Sequence, residues 1–260
     1  MKLTFLGTGS MKAIGKRNPM SILIESSNKK ILLDCGFGSL VKMTAENINF
    51  MKIDAVFISH LHCDHVNDLL PLIHTMAVIS DLDSKQKRKQ PIDIYGPKNL
   101  PQFYKFLRKF QWPDKLENFD INIYPFSDKE VEVGKLQISG LPISHAGGYL
   151  KEALAFRLDQ NNKSVVYSGD IDWDEKIKDF IDFAKDTDVL IIDGGKPIGK
   201  KGGAHLEPFQ ISQLARDANP RKLVVVHLTD INSPAEVKDA ISEFYKGDVI
   251  IARDGMELKV

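Results

Sequence analysis

The sequence predicts an α/β fold in which two sheets face each other and helices cover their outer sides. Three observations point to it. Apolar, β-branched runs of strand length alternate with longer stretches of helical pattern. That alternation falls into two halves, and in both halves histidines and aspartates stand just after strand-like runs, where open sheets collect their sites. With 260 residues, 43% of them hydrophobic, the chain can bury a large core, and a single domain over 1–260 is expected.

Taken in order, the strand candidates of the first half are 3–6, 21–25, 30–34, 55–59 and 92–95. The clearest is Ala55-Val56-Phe57-Ile58-Ser59, apolar and β-branched throughout. Strands at 121–125, 132–143, 153–158, 164–167, 189–193, 223–226 and 249–252 follow. The turn Asp159-Gln160-Asn161-Asn162 separates 153–158 from 164–167, and Val189-Leu190-Ile191-Ile192 reads as a buried strand. Helices are expected at 40–46, 67–80, 100–109, 174–184, 207–218 and 234–245. The sequence shows no clear internal repeat and no low-complexity segment.

Net charge is zero, so no global basic field announces a nucleic-acid partner. The opening residues are too few and too strand-like for a signal peptide, and no apolar run reaches membrane-spanning length. Cys35 and Cys63 are the two cysteines and form no C-x-x-C, which suits a reducing interior. The expectation is a cytoplasmic protein without a membrane partner.

Six of the seven histidines form one pattern: His60-Leu61-His62-Cys63-Asp64-His65, then His145, His205 and His227, with Asp170 closing Tyr167-Ser168-Gly169-Asp170. Imidazole and carboxylate together suit zinc, with manganese or iron as alternatives, whereas a structural zinc site normally recruits thiolates. In extended backbone His60 and His62 share a side and can converge on one ion, and a turn at Cys63-Asp64 can present Asp64 and His65 to a second. If Asp170 bridges, one site is His60, His62, His145 and Asp170, and the other is Asp64, His65, His227 and Asp170. Two divalent ions about 3.5–4 Å apart can hold a bridging water as hydroxide near neutral pH and ligate a phosphate oxygen.

The chain resembles the metallo-β-lactamase superfamily, and within it the ribonuclease Z and phosphodiesterase branch. The resemblance runs nearly end to end. It includes Phe5-Leu6-Gly7-Thr8-Gly9-Ser10, Arg17-Asn18, Leu33-Asp34-Cys35-Gly36, the His60 to His65 motif, His145, Ser168-Gly169-Asp170, Asp193, His205-Leu206 and His227-Leu228. Asp170 in place of a cysteine, the opening glycine loop and the extra His205 mark the branch. The resemblance implies an αββα four-layer sandwich. It also implies that Asp193 and His205 handle the proton of the leaving group, with Asp64 as a further catalytic residue; a structural hydrogen bond or a solvent-facing loop is the alternative for the Asp193 and His205 pair. Where ribonuclease Z has His-Glu-Ala-Thr, this chain has Ile192-Asp193-Gly194-Gly195, with a shorter acid.

Asp34 is expected to orient a ligand histidine, a plain turn carboxylate being the alternative. Ser59 and Ser168 fit ligand support or turn chemistry equally. Cys63 reads as space-filling and His74 as ordinary packing. The polar loop 81–90 is a mobile lid or a solvated connection. The glycine-rich loop 194–203 is expected to place backbone amides and Lys196, Lys200 and Lys201 near a phosphate.

The expected partner is a phosphodiester, small or of nucleotide type, cleaved by the metal-bridging hydroxide; a homodimer is a further partner to consider. The alternatives are a ribonuclease Z-type endonuclease acting at tRNA 3′ ends and a thioester or lactone hydrolase. The long tRNA-gripping arm of the well-known ribonuclease Z enzymes lies between the third metal motif and the bridging Asp. Here only 24 residues separate His145 from Asp170, which leaves no room for it.

Overall fold

Both sheets have seven strands, and the chain fills the first before it starts the second, returning only with its last strand. This computed structural model describes every residue except 14, 112–117, 127–129 and 147–149. The first sheet contains β1 Lys2–Gly7, β2 Ser21–Ser26, β3 Lys29–Leu33, β4 Ala55–Phe57, β5 Ile92–Gly96 and β6 Ile121–Pro125. The second contains β7 Val131–Val133, β8 Leu136–His145, β9 Leu150–Gln160, β10 Lys163–Tyr167, β11 Val189–Asp193, β12 Lys222–Val226 and β13 Val249–Ile251. β14 Glu257–Lys259 pairs antiparallel with β1 at the edge of the first sheet.

Period-two alternation sorts each central strand between two cores. Phe5, Ile22, Ile24, Leu33 and Phe57 meet Phe156, Leu158, Tyr167, Ile191 and Val226 between the sheets. The opposite faces bury Leu23, Leu32 and Val56 under helices on one side, and Leu190, Ile192 and Val225 on the other. The outer layer of the first sheet is α1 Ser39–Ala45, α3 Leu69–Leu82 and α4 Leu100–Gln111. That of the second is α5 Ile177–Phe183, α6 Pro208–Ala218 and α7 Pro234–Phe244. The result is the expected αββα sandwich. Pro at the first turn and a capping box start both α6 and α7. None of the described helices is long and apolar enough to cross a membrane.

The sheets repeat one connectivity. From β1 to β6 neighbours pair antiparallel twice and parallel three times, and β8 to β13 follow the same order. This duplication is invisible in the sequence because backbone pairing, not residue identity, carries it.

Several expectations are corrected. The single strand expected at 132–143 is split at Gly134, whose φ of 66° makes a hairpin turn between β7 and β8. The turn expected at Cys63-Asp64 is a one-turn helix, α2 Cys63–Val66. β14, with charged residues flanking a single leucine, carries too weak an apolar pattern to read as a strand.

The loop 81–90 is not a lid. It leads into the N-terminal end of β5, whereas His60 follows the C-terminal end of the parallel β4. Arg88 is buried and clamps the loop: its guanidinium donates to the carbonyls of Met51 (2.7 Å), Ile53 (2.8 Å), Gln90 (2.9 Å) and Pro91 (2.6 Å). Arg88→Ala strands these acceptors and is expected to cost about 2–4 kcal/mol. The check is a lower urea midpoint at unchanged slope, beside a Lys87→Ala control that shifts by less than about 0.5 kcal/mol.

Candidate metal centre

The site lies where the C-terminal ends of β4, β8, β10, β11 and β12 converge. β4 leads into His60 and the extended His62, and α2 then lifts Asp64 and His65. His145 ends β8, Asp170 follows β10, Asp193 ends β11, and His227 follows β12. His205 stands in the loop between β11 and α6. Left-handed backbone at Gly169 (φ 57°), His205 (70°) and His227 (59°) turns the chain off the strands, a conformation that concentrates at functional sites.

Two ligand groups match the expected pair, each with its ligating atoms within 4.8 Å of one another: His60, His62, His145 and Asp170, and Asp64, His65 and His227; a third group of the same kind, Asp170, Asp193, His205 and His227, overlaps both. In the first, His145 Nε2 lies 3.3 Å from His62 Nδ1 and 3.5 Å from Asp170 Oδ2, and His60 Nε2 lies 3.7 Å from that same oxygen. In the second, His227 Nε2 lies 3.2 Å from Asp64 Oδ2 and 3.4 Å from Asp170 Oδ2, with His65 Nε2 3.3 Å from Asp170 Oδ1. Asp170 faces both groups, and all seven residues expected as ligands come together.

The donor set fits cations. His60 Nε2, His65 Nε2 and Asp170 Oδ1 are buried and make no hydrogen bond; His65 Nε2 and Asp170 Oδ1 are close but poorly aligned for one. Orphaned polar atoms of this kind each cost about 1–3 kcal/mol, and a divalent ion in each group would satisfy them. Charge is unevenly spread. Burial, with the neighbouring His65 imidazole, holds His60 well below the ordinary histidine value. Burial pushes His227 down too, but Asp170, Asp193 and Asp64 outweigh it and hold His227 up at about 10. Burial opposes ionisation of Asp170, yet His227 and His65 keep it well below the usual carboxylate range. Such opposed shifts within one cluster mark a functional centre.

A second layer of carboxylates holds the histidines. Asp34, fully buried, lies 2.7 Å from His65 Nδ1 and accepts hydrogen bonds from Ser59 N (2.7 Å), Ser59 Oγ (2.8 Å) and the Tyr167 hydroxyl (2.6 Å). Ser59 Oγ is also 3.1 Å from His60 Nδ1. Asp193 Oδ2 lies 2.8 Å from His205 Nδ1, and its Oδ1 accepts Gly195 N–H at 2.8 Å and lies 3.3 Å from His227 Nδ1. The shorter acid therefore reaches His205, and it touches a ligand histidine as well. Gly195 fits between them because a Cβ there would stand 2.8 Å from His227 Nδ1 and 3.0 Å from His205 Cγ. Ser168 Oγ accepts Asp193 N–H at 3.0 Å.

Sequence reasoning missed Asp172, whose Oδ1 accepts His205 N–H at 3.2 Å and lies 3.7 Å from His145 Nδ1. Its signal was available: two residues after Asp170, it can share a side in extended chain. Tyr167 was likewise missed, and nothing in its strand pattern distinguishes it from a core aromatic.

A cavity of about 520 Å³ opens onto the cluster, lined by Ser10, Lys12, Asp64, Asp170 and His205 among others, with Met11, Pro197 and Ile231 as its apolar part. From the glycine-rich loop it takes Gly195 and Pro197; Lys196 is buried outside this lining, and Lys200 and Lys201 are exposed away from it. Lys12 is the lysine at the cavity. Cys63 lines it too, with Sγ 3.6 Å from Met11 Sδ, and belongs to neither ligand group. His74 sits half-buried on α3, apart from the cluster.

Histidine and aspartate clusters able to bind metals, at the strand ends of an αββα sandwich, define a metal-dependent hydrolase. A family model described as a β-lactamase superfamily domain matches residues 29–228, and the chain belongs to that superfamily. The chain is 27% identical to a protein named ribonuclease Z from Methanosarcina mazei, over 100% of this chain and 98% of that one. It is 26% identical to the probable metallo-hydrolase YhfI of Bacillus subtilis, over 98% of both chains. The crystal structure of YhfI superposes with a TM-score of 0.84 at 24% identity, covering 99% of this chain and 98% of that one. A diphosphatase of the PhnP family superposes with a TM-score of 0.80 at 17% identity, covering 100% and 97%.

Asp34→Ala removes the shared acceptor of His65, Ser59 and Tyr167. It is expected to cost about 3 kcal/mol or more in stability and to weaken metal binding by roughly 10–100-fold. Tyr167→Phe, losing one hydrogen bond, should cost about 1 kcal/mol. Denaturant unfolding and metal titration of both variants check the contrast.

Proposed function

We propose that the chain is a binuclear metal-dependent phosphodiesterase acting on a small or nucleotide-type phosphodiester, with His205 as general acid. The observation that carries this reading is the His205 imidazole, tied through Nδ1 to the buried Asp193 and lining the cavity beside the ligand cluster. That tether leaves Nε2 for the substrate. Acyl hydrolysis has no need of such a pair next to its ions.

His60, His62, His145 and Asp170 would hold one ion, and Asp64, His65, His227 and Asp170 the other. Zinc, with manganese or iron as alternatives, would supply Lewis acidity and ionise water near neutral pH. Around it, the chain's own residues orient and move protons. Burial pushes the His205 imidazole down, but the Asp193 carboxylate raises it above the ordinary histidine value, which favours the protonated form that an acid needs. As water adds to phosphorus and the P–O bond to the leaving group breaks, His205 Nε2 gives that proton to the departing oxygen and regains one from solvent. Asp193 keeps the ring oriented and stabilises its charge. Asp64 lines the cavity beside the reacting phosphate. Met11 and Ile231, 45% and 57% exposed, offer an apolar face for a base, sugar or aryl group.

A ribonuclease Z-type activity at tRNA 3′ ends is the second reading, favoured by the ribonuclease Z name of the archaeal relative that aligns over the whole chain. Two observations support the small diester as the first reading. β9 and β10 form a hairpin closed by Asn161 and Asn162 in left-handed turns, where the tRNA-gripping arm would stand. The alignment with the archaeal ribonuclease Z spans 313 positions, 53 more than this chain has residues; that with YhfI spans 258.

Elemental analysis after saturation with zinc should find two ions per chain; a ratio that stops at one overturns the binuclear reading. Asp170→Ala should lose metal and activity together. His205→Ala should keep its metal and lose roughly 10²–10⁴-fold in kcat, and metal depletion in that variant would show that His205 is a ligand instead.

For substrate, the purified protein should turn over a chromogenic aryl phosphodiester or a cyclic nucleotide well above a lactone or a precursor tRNA. Accurate 3′ cleavage of the tRNA at the higher kcat/KM reverses the order of the two readings.

A further inference from the structure

We propose that a second cavity, at the far end of the first sheet from the metal centre, binds a small polyphosphate anion. It has a volume of about 350 Å³ and is lined by Lys52, Lys85, Lys87 and Lys89, with Asn49 and Gln86 among the polar residues beside them. That volume falls in the range of small-ligand sites. The inference does not depend on the hydrolase reading.

What sets these lysines apart is that four of them gather around one concavity. Lys2, Lys29, Lys30, Lys42 and Lys163 each face a carboxylate within 4 Å. Lys52, Lys85, Lys87 and Lys89 are exposed, and among the described residues none has an ion-pair partner. Lys29 shows the contrast at close range: it takes Asp54, two residues from Lys52, at 2.7 Å. Asp83, in the same loop, is engaged locally, accepting Lys85 N–H at 2.9 Å and the Gln86 amide at 2.8 Å, and does not line the cavity. Among the described residues, no carboxylate lines the cavity. Four like charges around one concavity repel one another in the empty state and attract an anion at low cost in desolvation.

The wall is fixed before any ligand arrives. Arg88 lines the cavity, yet its guanidinium is spent on four carbonyls and lies 5.4 Å above the Phe119 ring. Its backbone N–H donates to Ser80 Oγ at 2.9 Å. A loop pinned this way loses little entropy on binding. The charge it carries is the flexible ammonium type, which meets phosphates as point charges rather than as bidentate forks. Several ammonium groups around one pocket match an anion with several phosphates better than a single carboxylate or sulfate. A nucleic-acid backbone would instead need an extended basic stripe, and the chain's net charge is zero.

The two sites are separate. Lys52, at the cavity, stands before β4, and His60, at the metal centre, follows it, so the two sites lie at opposite ends of that strand.

The test is calorimetric titration of sodium tripolyphosphate into the metal-loaded protein and into the quadruple variant Lys52→Ala, Lys85→Ala, Lys87→Ala, Lys89→Ala. Any heat from chelation at the metal centre is common to both, so the difference reads the cavity. Saturable binding in the unsubstituted protein, at least tenfold weaker in the quadruple variant and intermediate in Lys85→Ala, is the expected result, with metal content and unfolding midpoint unchanged. Equal affinity in the two proteins overturns the proposal. So does sulfate binding as tightly as tripolyphosphate. A single-stranded 20-mer RNA that outcompetes tripolyphosphate and is lost in the quadruple variant assigns the cavity to nucleic acid instead.

Discussion

Asp170 is buried and charged among five imidazoles, and the rest of the site is arranged around what that costs. An isolated carboxylate in a dry interior carries a penalty of several kcal/mol, which attraction repays only where geometry and remaining hydrogen bonds are satisfied. Here the partners answer the charge without satisfying its hydrogen bonds: Asp170 Oδ1 has none. The carboxylate and its ring of imidazoles are therefore poised for cations. The second layer follows the same logic, since Asp34 and Asp193 hold the outer nitrogens of His65, His205 and His227 and leave inner nitrogens for the centre.

The repeated connectivity explains why these carboxylates lie where they do. Asp34 follows β3 as Asp170 follows β10, and the two strands hold equivalent places in their sheets. His60 follows β4 as Asp193 ends β11, again at equivalent places. One sheet gives an orienting acid where the other gives the shared ligand. Tyr167 joins them physically, reaching from β10 in the second sheet to Asp34 in the first at 2.6 Å. The metal centre is thus also a clasp between the two layers, and its assembly depends on both sheets being formed and docked.

Much of this was legible in the sequence because the site is dense and local. The His60 to His65 segment places four candidate ligands in six residues, and the strand-like run before it fixes where they emerge. The helices at 207–218 and 234–245 were readable for a similar reason: apolar periodicity begins beside their capping residues. What was lost depended on long-range pairing. β14 forms because β1 offers an edge, not because Glu257-Leu258-Lys259 favours a strand. Arg88 looked like one more cation in a polar loop, and only the carbonyls of Met51 and Ile53, some 35 residues away, make it a structural clamp. Lys196, Lys200 and Lys201 carry the right charge but leave the cavity lining to Gly195 and Pro197.

Backbone strain closes the account of how the site is aimed. Asp34, His205 and His227 all adopt left-handed φ values, 57°, 70° and 59°, although none is glycine; each such residue costs of order 1 kcal/mol or more. A regular continuation of β3 or β12 would carry Asp34 or His227 past the cluster along the strand direction. Left-handed turns instead reverse the chain at once, so that each side chain points across the strand ends. His205 gains most from this arrangement. Held by Asp193 at its ring and by Asp172 at its backbone, it is tied to the two carboxylates that also face His227 and His145. The same two carboxylates thus face two candidate ligand histidines and the candidate acid, so the positions of all three are linked through them.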